Sequence, residues 1–68
     1  MIDGTKFVKC RKAANLTQTE LAKQMGVAVP VLQRAEWEVK DLSLPMAAIA
    51  AHIMGCKIED FLKPVKMS

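Results

Sequence analysis

The sequence predicts an all-α fold in one small domain. Apolar residues recur every three or four positions, as on one face of a helix, and do not alternate as in a half-buried strand. Aromatic residues, which favour strands, are scarce: two Phe, one Trp and no Tyr among 68 residues. A chain of this length has room for one domain. We expect that domain over residues 1–68, with a core from about 5 to 63 and a short tail over 64–68.

The first helix is predicted from about Thr5 to Ala14. Helical spacing places one set of residues inward, namely Phe7, Cys10 and Ala14, and another outward, namely Lys6, Lys9 and Lys12. Asn15 then ends the helix, because asparagine tolerates the left-handed backbone that often follows a last turn.

The second and third helices are predicted to meet at a tight turn around Gly26. Thr17 and Glu20 stand at the spacing of a capping box, in which each side chain bonds the other residue's amide. Glycine tolerates the left-handed backbone that ends a helix, and Val27 is placed to fill the corner. Helices joined this tightly cross steeply, so the second can protrude into a DNA major groove. This helix-turn-helix makes DNA the first partner to consider, although small helical bundles turn in the same way.

Two further helices are predicted after a connecting loop over residues 37–42. Ser43 caps the fourth helix, and Pro45 lies in its first turn, where a missing amide proton does no harm. That helix ends at Gly55. A short fifth helix carries apolar residues into the core and stops where proline cannot continue it; these residues are Ile58, Phe61, Leu62 and Pro64.

Composition argues against several classes of function. The chain has no run of about 18 apolar residues and no charged-then-apolar leader, so we expect a cytoplasmic protein with no membrane partner. Cys10, Cys56 and His52 are too few for a structural zinc site, and we expect both cysteines to pack as small apolar side chains. No nucleophile has a base beside it and no glycine-rich phosphate loop occurs. We therefore expect neither an enzyme nor a cofactor.

Five segments of the chain stand at mutual spacings that are more specific than those of a generic bundle. They are Phe7-Val-Lys-Cys-Arg-Lys, Leu16-Thr-Gln-Thr-Glu-Leu-Ala, Gly26-Val27, Glu36, and Gly55 followed by Ile58-Glu-Asp-Phe-Leu62. Through these segments, residues 6–62 resemble the DNA-binding domain of the lambdoid phage repressor and Cro family, called XRE-type in bacteria. The resemblance implies a compact five-helix lambda-repressor-like domain, with the helix-turn-helix at helices 2 and 3 and double-stranded operator DNA as partner.

The resemblance also implies roles for single residues. Arg11 and Glu36 match positions that form a sheltered salt bridge between the first and third helices; the alternative is that both are solvated surface charges. Positions near the phosphate backbone fall on Thr17, Gln18 and Lys40. Positions that read bases fall on Ala28, Val29, Pro30, Gln33 and Arg34. Of these, Arg34 suits guanine and Gln33 suits adenine.

The tip of the recognition helix departs from the family pattern. Residues 28–31 read Ala-Val-Pro-Val and offer no hydrogen-bonding side chain, where family members usually present serine, glutamine or arginine. Pro30 also biases Val29 away from helical angles, so we expect the helix to start late, with Pro30 in its first turn. Apolar groups can still contact thymine methyls, and they can equally meet another protein.

A homodimer is expected, because a domain of this size covers little more than one half-site. The family pairs through the region around the fourth and fifth helices, where Ile49 and Ile53 form an apolar pair that the alignment does not direct inward. This pair is a candidate dimer patch, which Trp37 or the tail can extend. The alternative is that the helix is rotated, so that both isoleucines fill space left by its many alanines.

These observations predict a sequence-specific DNA-binding transcriptional regulator, a small Cro- or repressor-like protein that occupies an operator, most simply an inverted repeat. A net charge of +3 and a pI of about 9.1 indicate modest, salt-sensitive affinity. The contrasting hypothesis is a protein-interaction module of the same fold, such as an antitoxin-like protein, with weak or lost sequence-specific DNA recognition.

Overall fold

The computed structural model describes residues 2–63, which fold into four α-helices. These are α1 (Gly4–Ala13), α2 (Gln18–Met25), α3 (Val29–Glu36) and α4 (Leu44–Met54), followed by a 3-10 turn over Ile58–Asp60. The all-helical prediction is confirmed for this part of the chain. The predicted tail, and Pro64 as a helix end, lie outside the described residues.

The predicted fifth helix is wrong, because the segment forms a single 3-10 turn. The Phe61 amide donates to the Ile58 carbonyl only three residues back, at 3.2 Å, and Phe61 then leaves the helical region with φ −130°. Leu62 lies in an antiparallel bridge with Ile2, and the Asp3 amide donates to the Phe61 carbonyl at 2.8 Å. Extended pairing with the N-terminal segment therefore takes the place of a second helical turn.

Capping side chains set the starts of three helices. Thr17 and Glu20 form the predicted capping box of α2, with both hydrogen bonds 3.1 Å long. The Ser43 hydroxyl accepts from an amide in the first turn of α4, also as predicted. The start of α1 differs by one residue from the prediction, because the Asp3 carboxylate caps the helix and begins it at Gly4.

A left-handed residue follows each of the four helices. Gly26 and Gly55 cap α2 and α4 with φ 74° and 69°, and Asn15 follows α1 with φ 58°. These three residues are the ones that the sequence indicates. Glu38 adopts the same conformation beyond α3, with φ 58°, which the sequence does not indicate because glutamate rarely takes it.

The core forms where the four helices and the 3-10 turn contact one another. Phe7 and Phe61 pack edge to face within it, with ring centroids 5.1 Å apart. The other buried side chains are aliphatic or methionine: Ile2, Leu21, Ala22, Leu32, Ala35, Leu42, Ala47, Ala50, Ala51 and Met54. The predicted orientation of α1 is confirmed, since its inward residues are buried or half-buried and Lys6, Lys9 and Lys12 are exposed.

The N-terminal segment joins the fold through contacts that span most of the chain. The Ile2 side chain is buried, and its amide donates to the Asp41 carboxylate at 2.9 Å. The Gly4 amide donates to the Glu38 carboxylate at 3.2 Å, and Glu38 also forms a salt bridge with Lys63. The loop after α3 is thereby held against the start of α1.

Candidate nucleic-acid interface

The turn between α2 and α3 is fixed by backbone hydrogen bonds at Gly26 and Val27. The Gly26 amide donates to the Lys23 carbonyl at 3.2 Å, and the Val27 amide donates to the Ala22 carbonyl at 3.0 Å. The Val27 side chain is half-buried against the core, as predicted for a residue that fills the corner. Only three residues separate α2 from α3, so the two helices pack directly on each other.

Arg11, Gln18 and Glu36 form a hydrogen-bonded cluster where α1, α2 and α3 meet. Arg11 Nε donates to Glu36 Oε2 at 2.8 Å, and Gln18 Nε2 donates to Glu36 Oε1 at 2.8 Å. A further guanidinium nitrogen of Arg11 donates to the Leu16 carbonyl at 2.9 Å. The side chains of Arg11 and Glu36 are only 11% and 4% exposed, so the ion pair lies largely out of water.

This cluster fixes the orientation of α3, because each of the three helices contributes one side chain to it. A buried ion pair adds little net stability, but removing one partner leaves a charge unpaired and is costly. The part played by Gln18 was not evident from the sequence, since its partner Glu36 lies 18 residues away. One N–H of the Gln18 carboxamide is used in this bond, and a second remains for another acceptor.

An open depression of about 510 Å³ lies where α1 ends and α2 begins. Its lining includes Lys12, Thr17, Gln18 and Thr19. The first amides of a helix have no partner within the helix and, with the helix dipole, favour an anion. The Thr17 hydroxyl is already engaged by the Glu20 amide, which leaves the amides of Gln18 and Thr19 as the donors at this end.

The outward side of α3 carries the residues that the resemblance assigns to base reading. Ala28, Pro30 and Arg34 are exposed, whereas Val29 and Gln33 are half-buried. Pro30 lies in the first turn of α3, as predicted, but the expected late start is wrong, because Val29 is already the first helical residue; Ala28 caps the helix without a side-chain hydrogen bond. Within residues 2–63, Arg34 forms no salt bridge, so its guanidinium is the exposed hydrogen-bonding group of this face.

The loop after α3 places Lys40 between two acidic residues, Glu38 and Asp41, of which Glu38 is paired with a cation. Asp41 accepts from the Ile2 amide, and Glu38 pairs with Lys63. The hydrogen bond from Lys63, and then that from the Gly4 amide, hold the pKa of Glu38 below its ordinary value. Lys40 is exposed and forms no salt bridge in the described part of the chain. The loop therefore offers an exposed cation next to α3.

The two isoleucines of the candidate dimer patch have different surroundings. Ile49 is 47% exposed, whereas Ile53 is half-buried and packs against the core. The exposed residues that share α4 with Ile49 are Leu44, Pro45, Ala48 and His52. The outer side of α4 is thus apolar except for one histidine and carries no Asp, Glu, Lys or Arg.

The two cysteines lie on α1 and directly after α4. Cys10 and Cys56 are both free and half-buried. Burial and the neighbouring Cys10 thiol raise the pKa of Cys56 to about 11, so this thiol keeps its proton near neutral pH. Among residues 2–63, no three His, Cys, Asp or Glu side chains come together as a metal site. None of the helices described is long and apolar enough to cross a membrane.

A capped helix, a left-handed glycine turn and a second helix with a solvent-facing side define a helix-turn-helix domain. The helix-turn-helix family model HTH_3 matches residues 8–61. The chain therefore belongs to this XRE, Cro and C1-type helix-turn-helix family, which is a family of DNA-binding regulators. No curated protein and no solved structure matched the chain in the same comparisons.

Proposed function

We propose that this chain is a cytoplasmic transcriptional regulator that recognises an operator through α3 and represses by occupying it. The observation that carries the proposal is the Arg34 guanidinium, which is exposed and forms no salt bridge within residues 2–63, on a helix whose orientation is fixed by the cluster of Arg11, Gln18 and Glu36. Base reading needs a donor held rigidly at the groove, and Arg34 supplies the donor while the cluster supplies the rigidity.

Phosphate contacts would come from both flanks of α3. On one side, the free amides of Gln18 and Thr19 open onto the depression at the start of α2. Thr17 contributes there by shaping the cap, since its hydroxyl is engaged by the Glu20 amide. On the other side, Lys40 presents an exposed cation from the loop. Such contacts position the protein on DNA without reading its sequence.

Base contacts would follow the exposed side of α3. Arg34 is suited to bidentate pairing with guanine, and the half-buried Gln33 carboxamide is suited to adenine. Ala28, Val29 and Pro30 offer only apolar surface, which suits thymine methyl groups. The expected operator half-site therefore combines a guanine read by Arg34 with a thymine-rich step under the helix tip.

A two-fold dimer on an inverted repeat would use the outer side of α4. Ile49 is its exposed apolar centre, and Ile53 supports it from the core side. An uncharged face can meet its own copy across a two-fold axis without like-charge repulsion.

Replacing Ile49 by Glu should weaken self-association at least about tenfold in analytical ultracentrifugation, because it buries two charges. Ala13→Glu, the same new charge at an exposed position on α1, is the control.

The deciding experiment is selection of binding sites from random double-stranded DNA, followed by fluorescence anisotropy on the enriched sequence. Arg34→Ala should lose discrimination at one base position by about 1–3 kcal/mol. Lys40→Ala should weaken binding to all sequences alike and reduce the salt slope by about one. Lys9→Ala, an exposed lysine of α1, serves as control. Recovery of no common sequence, with no salt-dependent binding, would refute the proposal.

A second function is favoured by the apolar tip of α3. Ala28 and Pro30 are exposed and offer no hydrogen-bonding group, which suits a protein surface as well as a base edge. In that case the chain is a protein-interaction module, including an antitoxin-like one. The two functions separate on Arg34→Ala, which should remove discrimination between DNA sequences but leave a protein contact of the apolar tip unchanged.

A further inference from the structure

Trp37, the one tryptophan of the chain, is exposed at the end of α3. It is 69% exposed and belongs neither to the hydrophobic core nor to the half-buried residues that pack against it. Its amide donates to the Gln33 carbonyl at 2.9 Å, which any residue except proline could do. The fold therefore does not account for the indole ring. Tryptophan is enriched at interfaces, because it joins a large apolar surface to an N–H donor.

The backbone of Trp37 continues the path of α3. With φ −87° and ψ 0° it stays in the right-handed helical region. At about 100° per residue, the seven positions from Pro30 to Trp37 turn by about 700°, which is about 20° short of two full turns. Pro30 and Trp37 therefore lie along one side of the helix, and Arg34 lies between them, within about 40° of the same line.

This side of α3 faces away from the core. Leu32 and Ala35, which are 0% and 1% exposed, mark the inward side. Trp37 is turned from them by about 140° and about 160° around the helix axis. Pro30, Arg34 and Trp37 are all exposed, as this geometry requires. The side of α3 that carries the proposed base-reading residues thus extends almost one turn beyond Arg34 and ends at an indole.

The place of Trp37 along the helix decides which part of DNA it can reach. A helix rises about 1.5 Å per residue, so Trp37 lies about 10 Å beyond Pro30. In helix-turn-helix proteins the N-terminal residues of the recognition helix contact base edges. The other end then lies toward the rim of a groove about 12 Å wide, where the sugars and phosphates are. An indole suits that rim, since its face can pack on deoxyribose while Nε1–H donates to a phosphate oxygen.

We infer that Trp37 is a further DNA-contacting residue of this chain, which binds the sugar–phosphate backbone at the end of α3. This contact rests on the proposed function, because it requires DNA on the outward side of the helix. Sugars and phosphates are the same at every position, so the contact would add affinity for all sequences alike. The indole carries no charge and, unlike Lys40, would release no counterion from DNA.

The test uses the fluorescence of Trp37 in the whole purified chain, which has no other tryptophan. The chain is titrated with double-stranded DNA of the selected sequence, and anisotropy of a dye on the DNA follows complex formation independently. The emission of the indole should change on binding. Acrylamide, a neutral quencher, should quench it less in the complex than in the free chain, because the DNA covers the ring.

Substitutions separate this contact from an ionic one. Trp37→Ala should weaken binding to every sequence about tenfold, as expected when an aromatic side chain is removed from a nucleic-acid contact. The dependence of log affinity on log salt concentration should keep its slope, whereas Lys40→Ala should reduce that slope by about one. Trp37→Phe keeps a ring and loses the N–H, so it should weaken binding less. Val39→Ala, at a position that is 72% exposed, is the matched control and should leave binding unchanged.

Three outcomes would overturn the role of Trp37 while DNA binding, and with it the proposed function, persists. The first is unaltered quenching in a complex that the anisotropy shows to be formed. The second is an equal effect of Trp37→Ala and Val39→Ala on affinity. The third is an emission that changes with the concentration of the chain and not with DNA, which would place Trp37 between two copies. Absence of any DNA binding would instead refute the proposed function and this contact together.

Discussion

At the scale of single residues, Glu36 joins the three helices of the interface. Its carboxylate accepts hydrogen bonds from both Arg11 and Gln18, and only 4% of its side chain is exposed. Because the residue ends α3, loss of its charge would release both the first and the second helix from the recognition helix. An effect on DNA binding is therefore expected without any contact between Glu36 and DNA.

Glu36→Gln should destabilise the fold by about 3 kcal/mol, because Arg11 would keep a buried charge without its counter-ion. Urea denaturation followed by circular dichroism measures this free energy. Glu59→Gln makes the same chemical change at an exposed position and should shift the midpoint little. Equal effects of the two substitutions would show that the Arg11–Glu36 pair is not an internal constraint.

Gly4 and Gly26 are both required, but for different reasons. A Cβ on Gly26 would meet no atom within 4 Å, so Gly26→Ala should cost only the left-handed backbone penalty, about 1–2 kcal/mol. A Cβ on Gly4 would collide with the Glu36 carbonyl oxygen, and backbone cannot move aside as a side chain can. Gly4→Ala should therefore cost more than Gly26→Ala in thermal denaturation. The opposite order would mean that α1 can shift away from the end of α3.

At the scale of elements, α3 differs from its neighbours in how it begins. Side chains of Asp3, Thr17 and Ser43 cap the other three helices, whereas Ala28 provides no hydrogen bond for α3. A missing cap costs a helix about 1 kcal/mol. The recognition helix is thus the element whose start is least stabilised, and the loss falls at the tip that is proposed to face DNA.

Ala28→Ser and Ala28→Asp should each stabilise the protein by about 1 kcal/mol, because either side chain can accept from the free amides of α3. Their effects on DNA should diverge, since Asp adds a negative charge at the tip and Ser does not. Chemical denaturation and DNA anisotropy on the same samples separate the two effects. If both variants bound DNA equally well, the tip of α3 would not lie near phosphate or base edges.

At the scale of the whole molecule, the N-terminal segment and the loop after α3 hold each other in place. The Glu38–Lys63 salt bridge links that loop to the end of the described chain, while Glu38 also accepts from the Gly4 amide. The pKa of Glu38 is lowered and that of Lys63 is raised, each chiefly by the hydrogen bond to the other. The stability that the Glu38–Lys63 salt bridge contributes therefore depends on pH.

Stability from the lowered pKa of Glu38 is present above its ordinary value of 4.5 and is lost as pH falls through the lowered value. Stability from the raised pKa of Lys63 is present below 10.5 and is lost as pH rises through the raised value. The melting temperature of Glu38→Gln should consequently depend less on pH than that of the parent at both ends. A parallel pH profile in the variant would contradict this assignment, and Glu59→Gln again provides the control.

Local patterns in the sequence predicted contacts between near neighbours, and the family resemblance indicated the Arg11–Glu36 pair, but neither indicated the contacts of the N-terminal segment. The capping box at Thr17, the left-handed Asn15 and the glycine turn at Gly26 depend on residues within four positions, so their spacing suffices. The bridge between Ile2 and Leu62, by contrast, forms across 60 residues and has no local pattern. This bridge also occupies Leu62, which was predicted to lie in a fifth helix.

The candidate interface likewise combines features that the sequence indicates with contacts that it does not indicate. The exposure of Arg34 follows from helical spacing, because Leu32 and Ala35 fix which side of α3 is inward. The bond from Gln18 to Glu36 depends on how three helices meet, and so do the positions of the acids that engage the N-terminal segment. Those contacts follow from packing, which no residue pattern within a single helix encodes.

The bridge between Ile2 and Leu62 has a mechanical consequence. A force that separates these two positions acts on one end of a single antiparallel pair. We therefore expect this pair to break before the packed helices slide past one another. The domain should then yield in an optical trap at low force, beginning with the Phe61–Leu62 segment, although side chains cap three of its four helices. A tether attached at Asn15 and His52 would instead load the packed helices directly and should require more force.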